Sequence, residues 1–296
     1  MRSNLTECGV PAYPEGSTLK EHSGEVKPAV MEEFWALEPG AGKRIWAGTI
    51  PGGLFYSDDQ GESWHLIESL WNDPDVKMDG GGKDHAGLHS VCVDPRDPQH
   101  ITIAVSVAGV WETFNSGETW ELIGKGLRAE YMPPEEAYDL LAQDAHLMVQ
   151  CPSSPDHLWI QHHNGIFRSE NGGHEWTEII DVDPAVFGFA VAVHPKDPKI
   201  AWFVPATKDE TRIPIQGAFV ITRTRDGGKT FEKITNGLPQ EYAFDIVYRH
   251  ALAVNSTGTT LVTGSTTGNL WISEDGGDSW GTISNHLPPV YCIKFG

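Results

Sequence analysis

The apolar positions of this chain come in short runs rich in Val, Ile, Phe and Trp, each closed by Gly, Pro, Asp or Asn. "FAVAVHP" (189–195), "IAWFV" (200–204), "AFVITR" (218–223) and "TFEKI" (230–234) follow one another with turn residues between them. Such runs predict β-strands. Short connections predict antiparallel pairing, because a parallel neighbour needs a long crossover. The same order recurs along the chain. "EFWALEP" (33–39), "HSVCVDP" (89–95), "HLMVQCP" (146–152) and "HALAVNS" (250–256) are further first strands, and "GLFYS", "GVWET", "GIFRS" and "GNLWIS" are further third strands. Helical periodicity is weak, with "PPEEAYDLLAQDAH" (133–146) the one candidate helix.

After each third strand stands the same polar box. It runs Ser57-x-Asp59-x-Gly61-x-Ser63-Trp64, then Thr113-x-Asn115-x-Gly117-x-Thr119-Trp120 and Ser169-x-Asn171-x-Gly173-x-Glu175-Trp176. Thr224-x-Asp226-x-Gly228-x-Thr230-Phe231 and Ser273-x-Asp275-x-Gly277-x-Ser279-Trp280 complete the set. The closing aromatics are 56, 56, 55 and 49 residues apart. A period of this length marks a repeat architecture. Asp or Asn accepts local backbone N–H bonds, and Gly takes a backbone angle that strains other residues. A catalytic group is not needed five times, so the box reads as a turn signature.

Four short antiparallel strands per repeat predict an all-β fold, a β-propeller of four-stranded blades. Five repeats are recognisable, and "VYCIKFG" (290–296) reads as the first strand of another blade. The expectation is therefore a closed ring of five or six blades, or part of a six- or seven-bladed ring. Residues 1–29 are poorly patterned and show no clear strand, and residues 30–296 form the propeller domain.

The boxes resemble the Asp-box (BNR) repeats of sialidases and other glycosidases, sortilin-type receptors and propeller-type photosystem assembly factors. From about Tyr13 onward the chain also resembles bacterial Asp-box propellers described as sialidase-like or glycosyl hydrolase-like. "DPRDP", "GLRAEYMP", "HPKDP", "GLPQEYAF" and "NHLPPVY" carry that resemblance besides the boxes. It implies a propeller and a glycosidase-like activity, although one fold hosts many activities.

Composition narrows the partners. The net charge of −20 argues against nucleic acid and anionic membrane surfaces, both of which require a positive patch. No apolar run is long enough to span a membrane, and "MRSNLTECGV" lacks the apolar core of a signal peptide. Cys8, Cys92, Cys151 and Cys292 follow no framework spacing. A reduced, cytoplasmic protein is the expectation. Nothing in the sequence speaks to oligomeric state.

In a propeller the boxes lie on one face, and the starts of the first strands lie on the other, with the second-to-third-strand turns. Aligning the first strands on their closing Pro (Pro39, Pro95, Pro152, Pro195, with Ser256 in the fifth) puts Glu33, His89, His146, Phe189 and His250 in one column. Imidazoles and a carboxylate suit a divalent transition metal such as zinc, manganese, iron or copper. The column predicts a metal held by Glu33, His89, His146 and His250 at the channel mouth. The plainer alternative is that these side chains bond to backbone or water. His162 and His163 fall in a turn on this face, as do Lys83, Asp84 and His85, Arg128 and Tyr131, and Glu241, Tyr242, Asp245 and Arg249. The insertion 208–217 adds Asp209, Glu210 and Arg212.

Arg128, Arg212 and Arg249 make a carboxylate-binding arginine triad possible by count. A glycosidase would also need two carboxylates, drawn from Glu33, Asp84, Glu210, Glu241 and Asp245. The Gly run at 79–85 lacks the strand-and-helix context of a phosphate loop and reads as a loop over the channel. The functional expectation is a hydrolase or lyase acting on a sugar-like or small polar substrate. Glu33, His162, His163, Arg212 and Arg249 are its candidate catalytic residues, and metal assistance is part of the reading. The alternatives are a propeller that binds a ligand without chemistry and an assembly scaffold.

Overall fold

The computed structural model describes residues 9–20, 25–76 and 85–296. The fold is all-β, with five four-stranded antiparallel blades of a β-propeller, each a simple meander in which every strand pairs with the next. Blade 1 comprises Glu33–Pro39, Ile45–Ile50, Leu54–Ser57 and His65–Leu66. Blade 2 comprises Leu88–Val93, Ile101–Val105, Gly109–Thr113 and Glu121–Ile123. Blade 3 comprises Ala145–Gln150, Leu158–His162, Gly165–Ser169 and Thr177–Ile179. Blade 4 comprises Gly188–Val193, Ala201–Pro205, Ile221–Thr224 and Glu232–Ile234. Blade 5 comprises Leu252–Val254, Leu261–Gly264, Leu270–Ser273 and Gly281–Ser284.

The chain divides into two compact units. Residues 1–124 with 138–144 carry blades 1 and 2, and residues 125–137 with 145–296 carry blades 3 to 5. In the first unit, Trp46, Leu54, Leu70, Leu88, Ile103, Val105 and Trp111 share one core. The sheets approach so closely that a Cβ at Gly48 would lie 2.2 Å from the Leu88 carbonyl oxygen, so only glycine fits there. In the second unit, Leu147, Trp159, Val191 and Phe203 bind blade 3 to blade 4. Trp202, Phe219, Leu252, Leu261 and Trp271 bind blade 4 to blade 5. Each fully buried Phe among these contributes about 1.5–3 kcal/mol.

The five boxes share one geometry. In blade 1 the Ser57 hydroxyl donates to Asp59 Oδ1 (2.7 Å) and accepts from the Gly61 N–H (2.8 Å). Asp59 Oδ1 also accepts from the Ser63 N–H (2.9 Å), and its second oxygen from the Ser63 hydroxyl (2.6 Å). Asp226 and Asp275 repeat this pattern with Thr230 and Ser279. Gly61, Gly117, Gly173, Gly228 and Gly277 all sit at φ between 90° and 95°. These donors hold Asp59 well below the ordinary carboxylate range and place Asp226 and Asp275 at about 2. The boxes are turns, as their recurrence implied.

Three expectations change. The segment before residue 30 is not strand-free, since Thr18–Lys20 and Val26–Pro28 pair antiparallel. Tyr13 stacks on Trp71 at 4.3 Å, and its hydroxyl donates to the Pro51 carbonyl at 2.6 Å. The stretch 133–146 is not an α-helix. It holds a single 3-10 turn, Leu140–Ala142, with the Asp139 side chain accepting from the Leu141 N–H. Residues 290–296 form no strand, but Val290 and Ile293 donate their N–H groups to the carbonyls of Ser265 and His250.

Candidate functional site

In blades 1 to 4 the first strand slips register against the second. The shift falls between Phe34 and Ala36, Leu88 and Ser90, Ala145 and Leu147, and Gly188 and Val191. A bulge of this kind re-aims the extra side chain. Trp35, His89, His146 and Phe189 fall inside these steps. The turn after each first strand confirms the alignment. The N–H of Gly40, Asp94, Cys151, His194 and Asn255 bonds in turn to Arg44, His100, His157, Ile200 and Thr260. Counting back five residues gives Trp35, His89, His146, Phe189 and His250. The column therefore holds Trp35 where the Pro alignment put Glu33. Pro39 is itself inside its strand, paired with Ile45, and so is not equivalent to Pro95. Glu33 is exposed at the strand start.

In the first unit, His89 is fully buried with Nδ1 2.7 Å from the Ser90 hydroxyl and its ring edge-on to Trp35 at 5.5 Å. His85 lies 3.8 Å from Glu32. Lys83, Asp84 and most of the Gly-rich loop, like Cys8, lie outside the described residues. Cys92, Cys151 and Cys292 are free thiols.

In the second unit the strand starts of blades 3 to 5 build an aromatic and cationic platform. Its centre is Phe189, 1% exposed. The His146 ring stacks on it at 4.5 Å and 15°, while Tyr248 and Phe187 meet it edge-on at 4.9 and 5.4 Å. The guanidinium carbons of Arg212 and Arg249 lie 5.2 and 5.8 Å from the centre of the same ring, within cation–π range. His163 stands beside His146, with ring centres 5.3 Å apart, and Tyr131 is edge-on to His163 at 5.0 Å. Nδ1 of His146 is 2.7 Å from the Gly188 carbonyl oxygen, so that nitrogen donates and the tautomer is fixed.

The insertion reaches this platform through Arg212, which is held by Asp209 at 2.6 Å. Burial opposes the Arg212 charge, but its bonds to Tyr248 and Asp209 outweigh it and leave the guanidinium more basic than usual. Its own backbone, Lys208 and the nearby His163 hold Glu210 below its usual range.

Other sequence candidates go elsewhere. His162 turns into the blade, fully buried against Phe167 at 5.2 Å, and accepts the Asn164 N–H at 3.4 Å. His163, the next residue, lies beyond the strand end in the turn and stands beside His146. Arg128 makes a two-pronged bond to Glu178 at 2.7 and 2.8 Å, and that pairing raises its basicity further. The Asp245 carboxylate is buried and accepts from Ser265, Thr267 and Asn269. His250 lies in the 3-10 turn Arg249–Ala251, half-buried. Glu241 is exposed. The site therefore gains Phe187 and Tyr248, which the sequence reading passed over, and has Phe189, the apolar member of the column, at its centre. Their signal was the aromatic content of the residues around each first-strand start. A cleft of about 600 Å³ lies on the box side of blades 3 and 4, lined by Arg168, Glu170, Lys199, Asp226 and Lys229, away from the platform.

Known proteins agree with the architecture. The BNR/Asp-box repeat family matches residues 55–66. The oligoxyloglucan-reducing end-specific xyloglucanase of Emericella nidulans is 24% identical over 294 residues, covering 89% of this chain and 34% of that enzyme. The chain thus spans about a third of the length of the curated relatives it matches. An ancestral GH74 enzyme superposes with a TM-score of 0.51 at 16% identity, covering 71% of this chain and 25% of the other. YCF48 from Cyanidioschyzon merolae gives 0.55 at 14% identity, covering 86% and 74%. These structural likenesses carry the fold alone. Five boxes on five four-stranded blades, with this relative in sequence, make the chain an Asp-box (BNR) repeat β-propeller related to glycosyl hydrolases.

Proposed function

We propose that this chain is a glycosidase-like propeller that takes an oligosaccharide on the platform of blades 3 to 5. The observation that carries the reading is the convergence of Arg212, Arg249 and His146 on Phe189, with Tyr131 and Phe187 alongside. A sugar offers an apolar ring face and a rim of hydroxyls. Aromatic rings suit the face, and a few fixed polar groups suit the rim. Glu210 and His163 are the acid–base candidates, because both are titratable, His163 stands beside His146, and Glu210 lies in the insertion that brings Arg212 to Phe189. Arg212 and Arg249 would hold hydroxyls or stabilise developing negative charge. The xyloglucanase relative supports a carbohydrate substrate.

Binding of xyloglucan oligosaccharides, followed by calorimetry and by release of reducing sugar, tests this. Arg249→Gln and Tyr131→Ala are expected to weaken binding at least tenfold, and Glu210→Gln to abolish any turnover while keeping binding. Unaltered affinity in both platform variants would overturn the reading. Binding without turnover in the parent protein would favour the non-catalytic alternative. An assembly role is the second reading, favoured by Tyr242 and Phe244, which stand 86% and 61% exposed on the same unit.

A further inference from the structure

His146 and His163 bring one ring nitrogen each within 4.8 Å of the other. They are held differently. His146 lies on a strand, 2% exposed, clamped by its stack on Phe189 and by the bond from Nδ1 to the Gly188 carbonyl. A carbonyl only accepts, so Nδ1 carries the hydrogen and Nε2 of the neutral ring carries the lone pair. An imidazole anchored this way through its other nitrogen is the arrangement that orients a metal ligand. His163 sits in the two-residue turn between the second and third strands of blade 3, half-buried.

We propose that His146 and His163 form a binding site for a divalent transition metal ion, of the zinc, copper or nickel class. Metal–nitrogen bonds of about 2.0–2.1 Å place two ligands of a tetrahedral ion roughly 3.4 Å apart. From within 4.8 Å the pair needs to close by at most about 1.4 Å. Two imidazoles select these ions over magnesium and calcium, which prefer all-oxygen shells. The net charge of −20 further favours a cation. Two other histidines of similar position are engaged otherwise: His89 faces Ser90 and Trp35, and His162 faces Phe167. The site shares His146 and His163 with the carbohydrate reading, and its test is separate because metal binding is measured with no glycan present.

The test uses the full chain without a histidine tag, stripped with a chelator. Zinc is titrated by calorimetry, and cobalt by its visible absorption. One saturable equivalent is expected, with a cobalt spectrum of nitrogen ligation. His163→Ala is expected to lower affinity at least tenfold while leaving the circular dichroism and melting temperature near those of the parent. His146→Ala should do the same, but it also removes a buried ring, so His163→Ala decides the matter. His286→Ala, an exposed histidine of blade 5, is expected to change nothing. Absence of saturable binding, or affinity unchanged in His163→Ala, overturns the proposal.

Discussion

The two ends of each blade differ in kind. At the box end, five turns repeat one set of bonds, each closed within eight residues. At the other end, five equivalent positions hold Trp35, His89, His146, Phe189 and His250, and those with described ring contacts meet different neighbours. His89 and His146 occupy the same bulge in adjacent repeats. One is turned onto Ser90 and Trp35, the other onto Gly188, Phe189 and His163. A position in a repeat therefore fixes where a side chain starts, and its partners decide what it can do. The box end stabilises, and the strand-start end carries what is particular to this protein.

The contrast is sharpest for Phe189→Ala. Removing this buried ring is expected to cost about 3–5 kcal/mol in denaturant unfolding and to abolish ligand binding at the platform. If stability falls but affinity holds, the platform is only core. Next comes Gly228→Ala in the fourth box. Its φ of +90° and a Cβ only 2.3 Å from Ile179 Cδ1 predict a loss of about 1–3 kcal/mol, with ligand affinity unchanged. A large effect on affinity would show that the two ends are not separable. His89→Ala removes a buried ring and its bond to the Ser90 hydroxyl and should cost about 1–3 kcal/mol, again with metal and glycan binding intact. His146→Ala should lose both.

Acid provides a test of the three boxes built on Asp. Asp226 and Asp275 titrate at about 2 in the folded chain and in the ordinary carboxylate range when unfolded. The unfolded chain thus binds more protons between these values, so stability is full above about pH 4 and falls as the pH drops toward about 2. Melting temperatures measured across that window check the direction. Asp226→Asn keeps the accepting oxygen and should flatten the dependence. The smallest effect is expected for Arg128→Ala. Its ion pair with Glu178 is partly exposed and should be worth about 1 kcal/mol or less. A strong loss of glycan binding there would instead restore Arg128 to the ligand site.

Much of the fold was legible because its signals are local. A box needs only the residues from one hydroxyl to the next aromatic, so counting along the chain found all five. The strand order within each blade followed from the short turns. The candidate site was legible only in outline. Pro39 misled the alignment because proline closes three first strands from just outside, but lies inside the first, and the difference appears only in the pairing with Ile45. Arg128 looked available until Glu178, 50 residues later, claimed it. His162 and His163 were indistinguishable until the strand ended between them, with His162 packed on Phe167 inside the blade and His163 in the turn.

The sequence by itself determined the five repeats, the strand order within each and the turns that close them. Those features rest on hydrogen bonds and apolar contacts spanning few residues, which a repeat spells out each time. Tertiary structure alone decided that Phe189 gathers two arginines and an imidazole, and that His146 meets His163. Those contacts join residues from different turns and blades across 17 to 60 positions of chain, and they depend on register, bulge and strand direction. No local pattern encodes them, because each partner is chosen by where the backbone of another strand happens to deliver it.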